Sequence, residues 1–345
     1  DEMTGKYRKQ WVKFRSWQHS KAIGAIQDGM HELSRKYGQE FVFCPAVGMG
    51  DLFAYSKFYD QYTVRDYIGR LDWLDPWGPY IFHNAASAYR YNIAVNYGTY
   101  RMARLIRERV KELCGEKIPH LLALPHAYQV MTWVTEPEAM AYETAAFFVN
   151  RWDASQLYVY TGLDGRYWRT MGELNNAIAQ VDRFVAEGKK REDAAMVPVS
   201  PYPFPMAVYD QNCPTLAKDA AEIRKESPVT LDVYEWNGRI LAALGNAWQR
   251  GEAFVKVKIP GLSAKNRYVV SVPARGVALA DDYTAAELAD GILLHVGALR
   301  FCFYVIEPVV PGRDYGVIAG RDALSGLLKK RLPEIRRICE EDKTY

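Results

Sequence analysis

Five cysteines among 345 residues, Cys44, Cys114, Cys213, Cys302 and Cys339, are scattered with no CxxC pair and no histidine at ligand spacing. That pattern gives no basis for a metal site. The odd, dispersed set reads as buried free thiols, with one or two disulfides as the alternative. Several compact motifs are missing as well: a GxSxG elbow, a GxxxxGK(S/T) loop, an HExxH pair, and a GxGxxG turn behind a strand. Serine-hydrolase, nucleotide-triphosphate, zincin and dinucleotide chemistries lose their support with them, and no cofactor is implied. Gly48-Met49-Gly50 is too short to cradle a phosphate. No apolar run approaches the ~20 residues of a membrane span. Neither sign of charge dominates, since 44 Lys and Arg against 41 Asp and Glu leave a formal +3. Charge alone therefore draws neither nucleic acid nor a membrane surface. The chain opens on Asp1 without a secretory signal, as expected of a processing or cloning boundary. A preceding signal would make the protein secreted or extracytoplasmic; without one it would be cytoplasmic.

What is abundant is aromatic: 24 Tyr and 9 Trp lift the aromatic share to 13%, above ordinary globular usage. At roughly 150 residues per domain, the length suggests about two domains with sizeable cores.

Apolar residues Trp11, Phe14, Trp17, Ile23, Ile26 and Met30 recur at helical spacing across Tyr7 to Tyr37 and predict a long amphipathic helix. Phe41 to Val47 then reads as a buried strand ahead of a Gly-rich loop. A possible helix over Thr63 to Arg70 precedes a short strand in Leu71 to Tyr80. The spacing predicts a helix over Ala94 to Cys114, stopped at Gly115, and a strand within Ile118 to Tyr128. Thr135 with Glu138 forms a capping-box pattern for a helix over Ala139 to Val149. Gln156 to Gly162 is the fourth strand, and a helix from Gly172 to Glu187 closes the series. Strands alternating with helices imply parallel α/β architecture, with ligands expected at the strands' carboxyl ends.

The charge run Lys189 to Asp193 and the Pro-rich stretch Pro198 to Pro205 mark a linker. From Pro228 the period changes to two. Short strands follow at Val229–Glu235, Arg239–Asn246, Ala253–Ile259, Tyr268–Pro273, Gly291–Val296 and Leu299–Glu307, which predict an antiparallel β-sandwich. Asp322 to Glu341 is a basic amphipathic helix expected to dock on the body or on a partner. The expected domains are thus 1–195, a linker 196–227, a sandwich 228–310 and a terminal helix 311–345.

A β/α region followed by an all-β domain resembles the layout of (β/α)8-barrel glycoside hydrolases over roughly residues 1–310. Thr135 to Val149 with Leu157 to Tyr160 resembles the last helix and eighth strand of such barrels. Leu71-Asp72-Trp73-Leu74-Asp75-Pro76-Trp77 is similar to the sixth-strand region, where α-galactosidase-like enzymes carry an aspartate in an Asp-Pro context. The resemblance implies the second half of a barrel, because eight strands are needed and four are read. A first half would lie upstream or on a separate polypeptide, in keeping with the non-Met start.

Glycoside cleavage requires two carboxyl groups, one donating a proton and the other acting as nucleophile or base. Asp75 and Asp72 are the candidates expected at a strand's carboxyl end, either becoming a general acid if Trp73 and Trp77 desolvate it. Their structural alternative is that Asp75 caps the Asp-Pro turn and Asp72 pairs with Arg70. The resemblance places a nucleophile near Glu2, unless that residue lies upstream. Sugars present apolar faces and hydroxyls, so aromatic platforms beside polar groups suit them. Asp51, Trp73, Trp77, Tyr80, His126, Tyr128, Trp133, Glu136 and Tyr160 are the substrate-binding candidates, with an oligosaccharide or glycoside as ligand. Glu136 suits a helix amino terminus better, and part of the aromatic set suits an interdomain core. The competing function is a non-catalytic carbohydrate-binding or structural subunit of a larger assembly.

Overall fold

The computed structural model describes residues 5–48, 52, 64–77, 93–125, 136–157, 163–203 and 227–343. Its first helix, α1 (Arg8–Tyr37), covers the predicted span and stops at Gly38, whose φ of 64° is a left-handed position that suits glycine. The chain continues through β1 (Ala46–Gly48), β2 (Trp73–Trp77), α2 (Ile93–Cys114), β3 (His120–Ala123), α3 (Pro137–Val149), β4 (Ala154–Ser155) and α4 (Gly165–Ala179). The expected helix over Thr63 to Arg70 is two short 3-10 turns, Val64–Asp66 and Ile68–Arg70.

β1 to β4 lie side by side in chain order and all run parallel, with Ala46 opposite Asp75, Trp73 opposite His120 and Leu122 opposite Ala154. Sequential order combined with right-handed crossovers puts the helices on one face of the sheet. The pleat then divides the side chains. Val47, Leu74, Leu121 and Ala123 face the helices and join a core with Ile106, Val110 and Phe147. Ala46, Trp73, Asp75, His120, Leu122 and Ala154 share the other face, where only Asp75 is buried and the rest are exposed or half-buried. The fourth strand pairs at 154–155, two residues ahead of the expected start, and Gln156 N–H still donates to the Ala123 carbonyl at 2.8 Å. The remainder of that expected strand, 158–162, lies outside the described residues.

α3 is the pivot of the fold. Ten of its thirteen residues are buried, as expected of a helix apolar on all sides, because it is packed between neighbouring helices and the next sheet. Tyr142 meets Phe301 at 5.1 Å and Phe148 meets Phe303 edge-on at 5.8 Å. It begins one residue later than the capping-box pattern implies, with Glu136 at the N-cap, Pro137 in the first turn and no side-chain cap bond. Proline's fixed φ and missing N–H suit that first position. Thr135 lies outside the described residues.

After α5 (Asp182–Ala186) the chain turns to β-structure: β5 (Lys189–Lys190), β6 (Ala195–Pro198), β7 (Val229–Trp236), β8 (Arg239–Asn246), β9 (Ala253–Lys258), β10 (Arg267–Val272) and β11 (Val277–Thr284). Helix α6 (Ala285–Asp290), β12 (Ile292–Val296), β13 (Arg300–Pro308), β14 (Val317–Ile318) and α7 (Ala323–Lys343) follow. A seven-stranded sheet, β14-β11-β10-β13-β8-β7-β5, and a three-stranded sheet, β12-β9-β6, enclose a common core that includes Val233, Ala242, Leu244, Val255, Val257 and Leu294. The charge run expected as linker is in part β5, and Arg191 behind it binds Glu235, Asp193 and the Pro260 carbonyl. Likewise β6 pairs with β9 where a linker was expected. β11 answers to no predicted strand. α7 docks on the body as expected, burying Ile335 and Cys339 against Trp248 and Phe254. Across the two regions, Tyr234 donates to the Val149 carbonyl at 2.6 Å, and Tyr100 donates to the buried Asp232 at 2.9 Å.

Candidate functional site

The face of β1 to β4 turned away from the helices carries Trp73, Asp75 and His120. Asp75 is the third residue of β2, its N–H donating to the Pro45 carbonyl at 3.1 Å. Leu74 and Pro76 on either side are buried toward the helices, so alternation turns Asp75 to the open face. The residue is 7% exposed, and its Oδ1 has no hydrogen-bond partner among the described residues. Desolvation disfavours the ionised form and lifts the carboxyl to about 7. Cys44 lies beside it, and burial, reinforced by the Asp75 charge, pushes that thiol up to about 11. A carboxyl protonated near neutrality can donate a proton. A thiol held above its usual range is no nucleophile.

Asp72 is separated from this position. It precedes β2 at the strand's amino end rather than following a carboxyl end, where it accepts a hydrogen bond from Gln27 of α1 at 2.7 Å and pairs with His31. A one-residue shift past the strand's start sends the carboxylate to the helix instead of the open face. The pairing with Arg70 raised by the sequence is replaced by these contacts. Asp72 and Trp73 line a cleft of about 400 Å³ at that rim, with His31 and Val42. Trp73 also faces His120, ring centres 4.9 Å apart.

His120 and Asp153 were not singled out by the sequence. His120 Nδ1 sits 3.1 Å from Asp153 Oδ1, while Asp153 Oδ2 accepts the Leu121 N–H at 2.9 Å, which fixes the carboxylate. The available signal was parity, since His120 is paired with Trp73 and so shares the face of Asp75. Glu136 is exposed at the start of α3 and lines a charged cleft of about 510 Å³ with Arg166, Arg169 and Glu173. This is beside the helices rather than on the sheet face. Trp77 closes β2 through its backbone. Its side chain lies outside the described residues, as do Glu2, Asp51, Tyr80, His126, Tyr128, Trp133 and Tyr160. Among the described residues, no cluster of His, Cys, Asp and Glu could hold a metal ion, and no helix is long and apolar enough to cross a membrane.

No protein-family profile matches the chain, and no curated protein is detectably similar in sequence. Solved structures similar to it include the following three. One is a noncanonic maltogenic α-amylase from Thermotoga neapolitana, at 8% identity and TM-score 0.44 over 82% of this chain and 59% of that one. Another is an Anoxybacillus α-amylase, at 9% identity and TM-score 0.44 over 83% of this chain and 57% of that one. A third is a family 51 α-L-arabinofuranosidase from Bifidobacterium longum, at 11% identity and TM-score 0.43 over 84% and 63%. The chain spans less than two thirds of each of these three.

Proposed function

We propose that this chain is the second half of a (β/α)8 barrel followed by a β-sandwich, and that it cleaves a glycosidic bond with Asp75 as the general acid. The observation that carries the reading is a single carboxyl, buried, without a hydrogen-bond partner among the described residues, and protonated up to about pH 7, on the open face of a sequential parallel sheet. An acid in that state protonates the leaving oxygen as the glycosidic bond breaks. Trp73, on the same face, offers an apolar platform for a sugar ring. The opposing carboxylate comes from the barrel's other half or from Glu2, and the ligand is an oligosaccharide or glycoside.

One observation favours a second reading. Asp72, the other half of the expected pair, is engaged by α1, which leaves Asp75 as the one described carboxylate of the two on the open face. A chain without a pair would be a non-catalytic carbohydrate-binding or structural subunit. Turnover of oligosaccharides and alkyl glycosides, whose leaving oxygens need a proton, by natively purified protein decides between them. The acid role predicts turnover with a basic-limb pKa near 7, lowered by about 10²-fold or more in Asp75→Asn with circular dichroism unchanged. Equal turnover in the variant overturns the assignment, and absence of turnover in the native protein favours the binding subunit.

A further inference from the structure

A cavity of about 360 Å³ lies where α3 and α4 meet the sandwich, and no residue of β1 to β4 lines it. Ala141 of α3, Leu174 and Ala177 of α4, and Phe301 and Phe303 of β13 give it an apolar lining. Phe301 lies so close over Gly245 that a Cβ there would come within 2.6 Å of the ring, and this close packing holds the ring in place. A second cleft, of about 510 Å³, shares Glu138, Thr170 and Glu173 with the first and continues to Glu136, Arg166 and Arg169. The two form one groove. Openings of about 300–1,000 Å³ at the junction of two domains, apolar with a few polar groups, are typical of ligand pockets.

Charge sorts along this groove. Arg275, in the turn after β10, and Arg300, at the start of β13, are exposed at the sandwich end and make no ion pair among the described residues. The charges of both reach the buried Cys302 thiol in the wall. Away from them the groove is lined by carboxylates, Glu138, Glu173 and Glu136, with Glu173 held by Arg169 at 2.9 Å. Tyr142, wholly buried in the wall, has a hydroxyl without a hydrogen-bond partner among the described residues.

These features restrict the occupant. A polyanion such as a nucleic acid would be repelled by the three glutamates. An extended peptide would find no backbone ladder along residues 141–142 and 170–177, whose own groups are bonded within α3 and α4. A sugar chain needs no ladder, because its hydroxyls both donate and accept and its ring faces are apolar. Glu138 and Glu173 accept, Thr170 does both, and Phe301 and Leu174 suit a ring face. Two arginines without carboxylate partners then match one anionic group on that chain.

We propose that this groove is a second carbohydrate site, apart from the Asp75 face, which binds an oligosaccharide bearing a single carboxylate. The carboxylate sits on Arg275 and Arg300, hydroxyls meet Glu138, Glu173 and Thr170, and a ring face rests on Phe301. The inference rests on the reading above for its class of ligand and goes beyond it in the site and the acidic unit.

Amide hydrogen exchange of the full chain tests it, with three probes in which one glucuronic acid caps a xylose, galactose or glucose oligosaccharide. At least one should slow exchange at residues 170–177 and 299–303, saturating at one equivalent. Its methyl ester, which removes the charge, should bind about tenfold more weakly or worse, and Arg275→Gln with Arg300→Gln should lower affinity for the acid by a similar factor. Both arginines are exposed, so that variant keeps its fold. Thr170→Trp, placed where the two clefts meet, should abolish the protection with circular dichroism unchanged. No protection by any probe, equal binding of acid and ester, stronger binding of trigalacturonate, or an affinity untouched by the arginine changes each overturn the proposal. Protection confined to residues 73–77 assigns the sugar to the Asp75 face and also overturns it. Turnover is not a readout here, so failure of the glycosidase reading leaves protection at the groove standing.

Discussion

Asp75→Asn is a test of the sheet's electrostatics that needs no substrate. In the native chain the carboxyl is raised from 3.8 to about 7 by burial, so folding favours its protonated form. Below pH 4 the group is neutral in both states and adds no penalty. Between pH 4 and 7 the folded state holds the proton more tightly than the unfolded chain, and stability falls as pH rises. Above 7 the full penalty is present, about 4 kcal/mol at 1.36 kcal/mol per unit. Asparagine has the same shape and no charge, so the variant loses this dependence. The difference in unfolding free energy between variant and native chain should grow from about zero at pH 4 to roughly 4 kcal/mol at pH 8. Urea unfolding at half-unit pH steps measures it, and groups common to both proteins cancel in the difference. Parallel curves for the two proteins would refute the buried-acid reasoning and leave Asp75 an ordinary carboxylate.

The same charge is readable from its neighbour. Above pH 7 the ionised Asp75 helps burial to hold the Cys44 thiol near 11, so Asp75→Asn should speed alkylation of the Cys44 peptide by iodoacetamide at pH 8.5, scored by mass spectrometry. An unchanged rate would separate the two groups. Tyr100→Phe removes a donor to the buried Asp232, which keeps Lys190 at 2.9 Å. The expected cost is about 1–3 kcal/mol of stability, measured by denaturation, and the far-UV spectrum should not change. Ile335→Ala empties a site buried to 2% beneath α7 and should cost about 2–5 kcal/mol, read as faster amide exchange across α7 and the segment around Trp248.

Much of the fold was legible because periodicity maps onto burial. The three-to-four spacing from Trp11 to Met30 predicted α1, and the period-two runs after Pro228 predicted β7 to β10, β12 and β13. β11 was missed for a physical reason. Val277-Ala278-Leu279-Ala280 is an uninterrupted apolar run, followed by the exposed pair Asp281 and Asp282, so the strand shows no alternation at either end. β5 and β6 were hidden by charge and proline. Lys189 and Lys190 form a strand only because β7 supplies its edge, and Pro198 ends a strand that pairs with β9. Those are tertiary effects on segments with little intrinsic preference for a strand.

The site was harder to read, and the difficulty lies in register. Asp72 and Asp75 stand three residues apart in one aromatic segment, and in the sequence only the Asp-Pro context favours Asp75. Their separation depends on β2 starting at Trp73. From that start, odd positions share the open face and even positions meet the helices, so Leu74 and Pro76 are core and Asp75 is not. Asp72 lies before the first pleat and is taken by Gln27 and His31. The same parity finds His120, which no motif would have marked, whereas Asp153, one residue ahead of β4, is found through its contacts with His120 and the Leu121 N–H. In a strand covered on both faces, parity is silent because every residue is apolar. Here Trp73-Leu74-Asp75-Pro76-Trp77 carries one charged residue among four apolar ones, so parity counted from Trp73 is what sets Asp75 apart from Leu74 and Pro76.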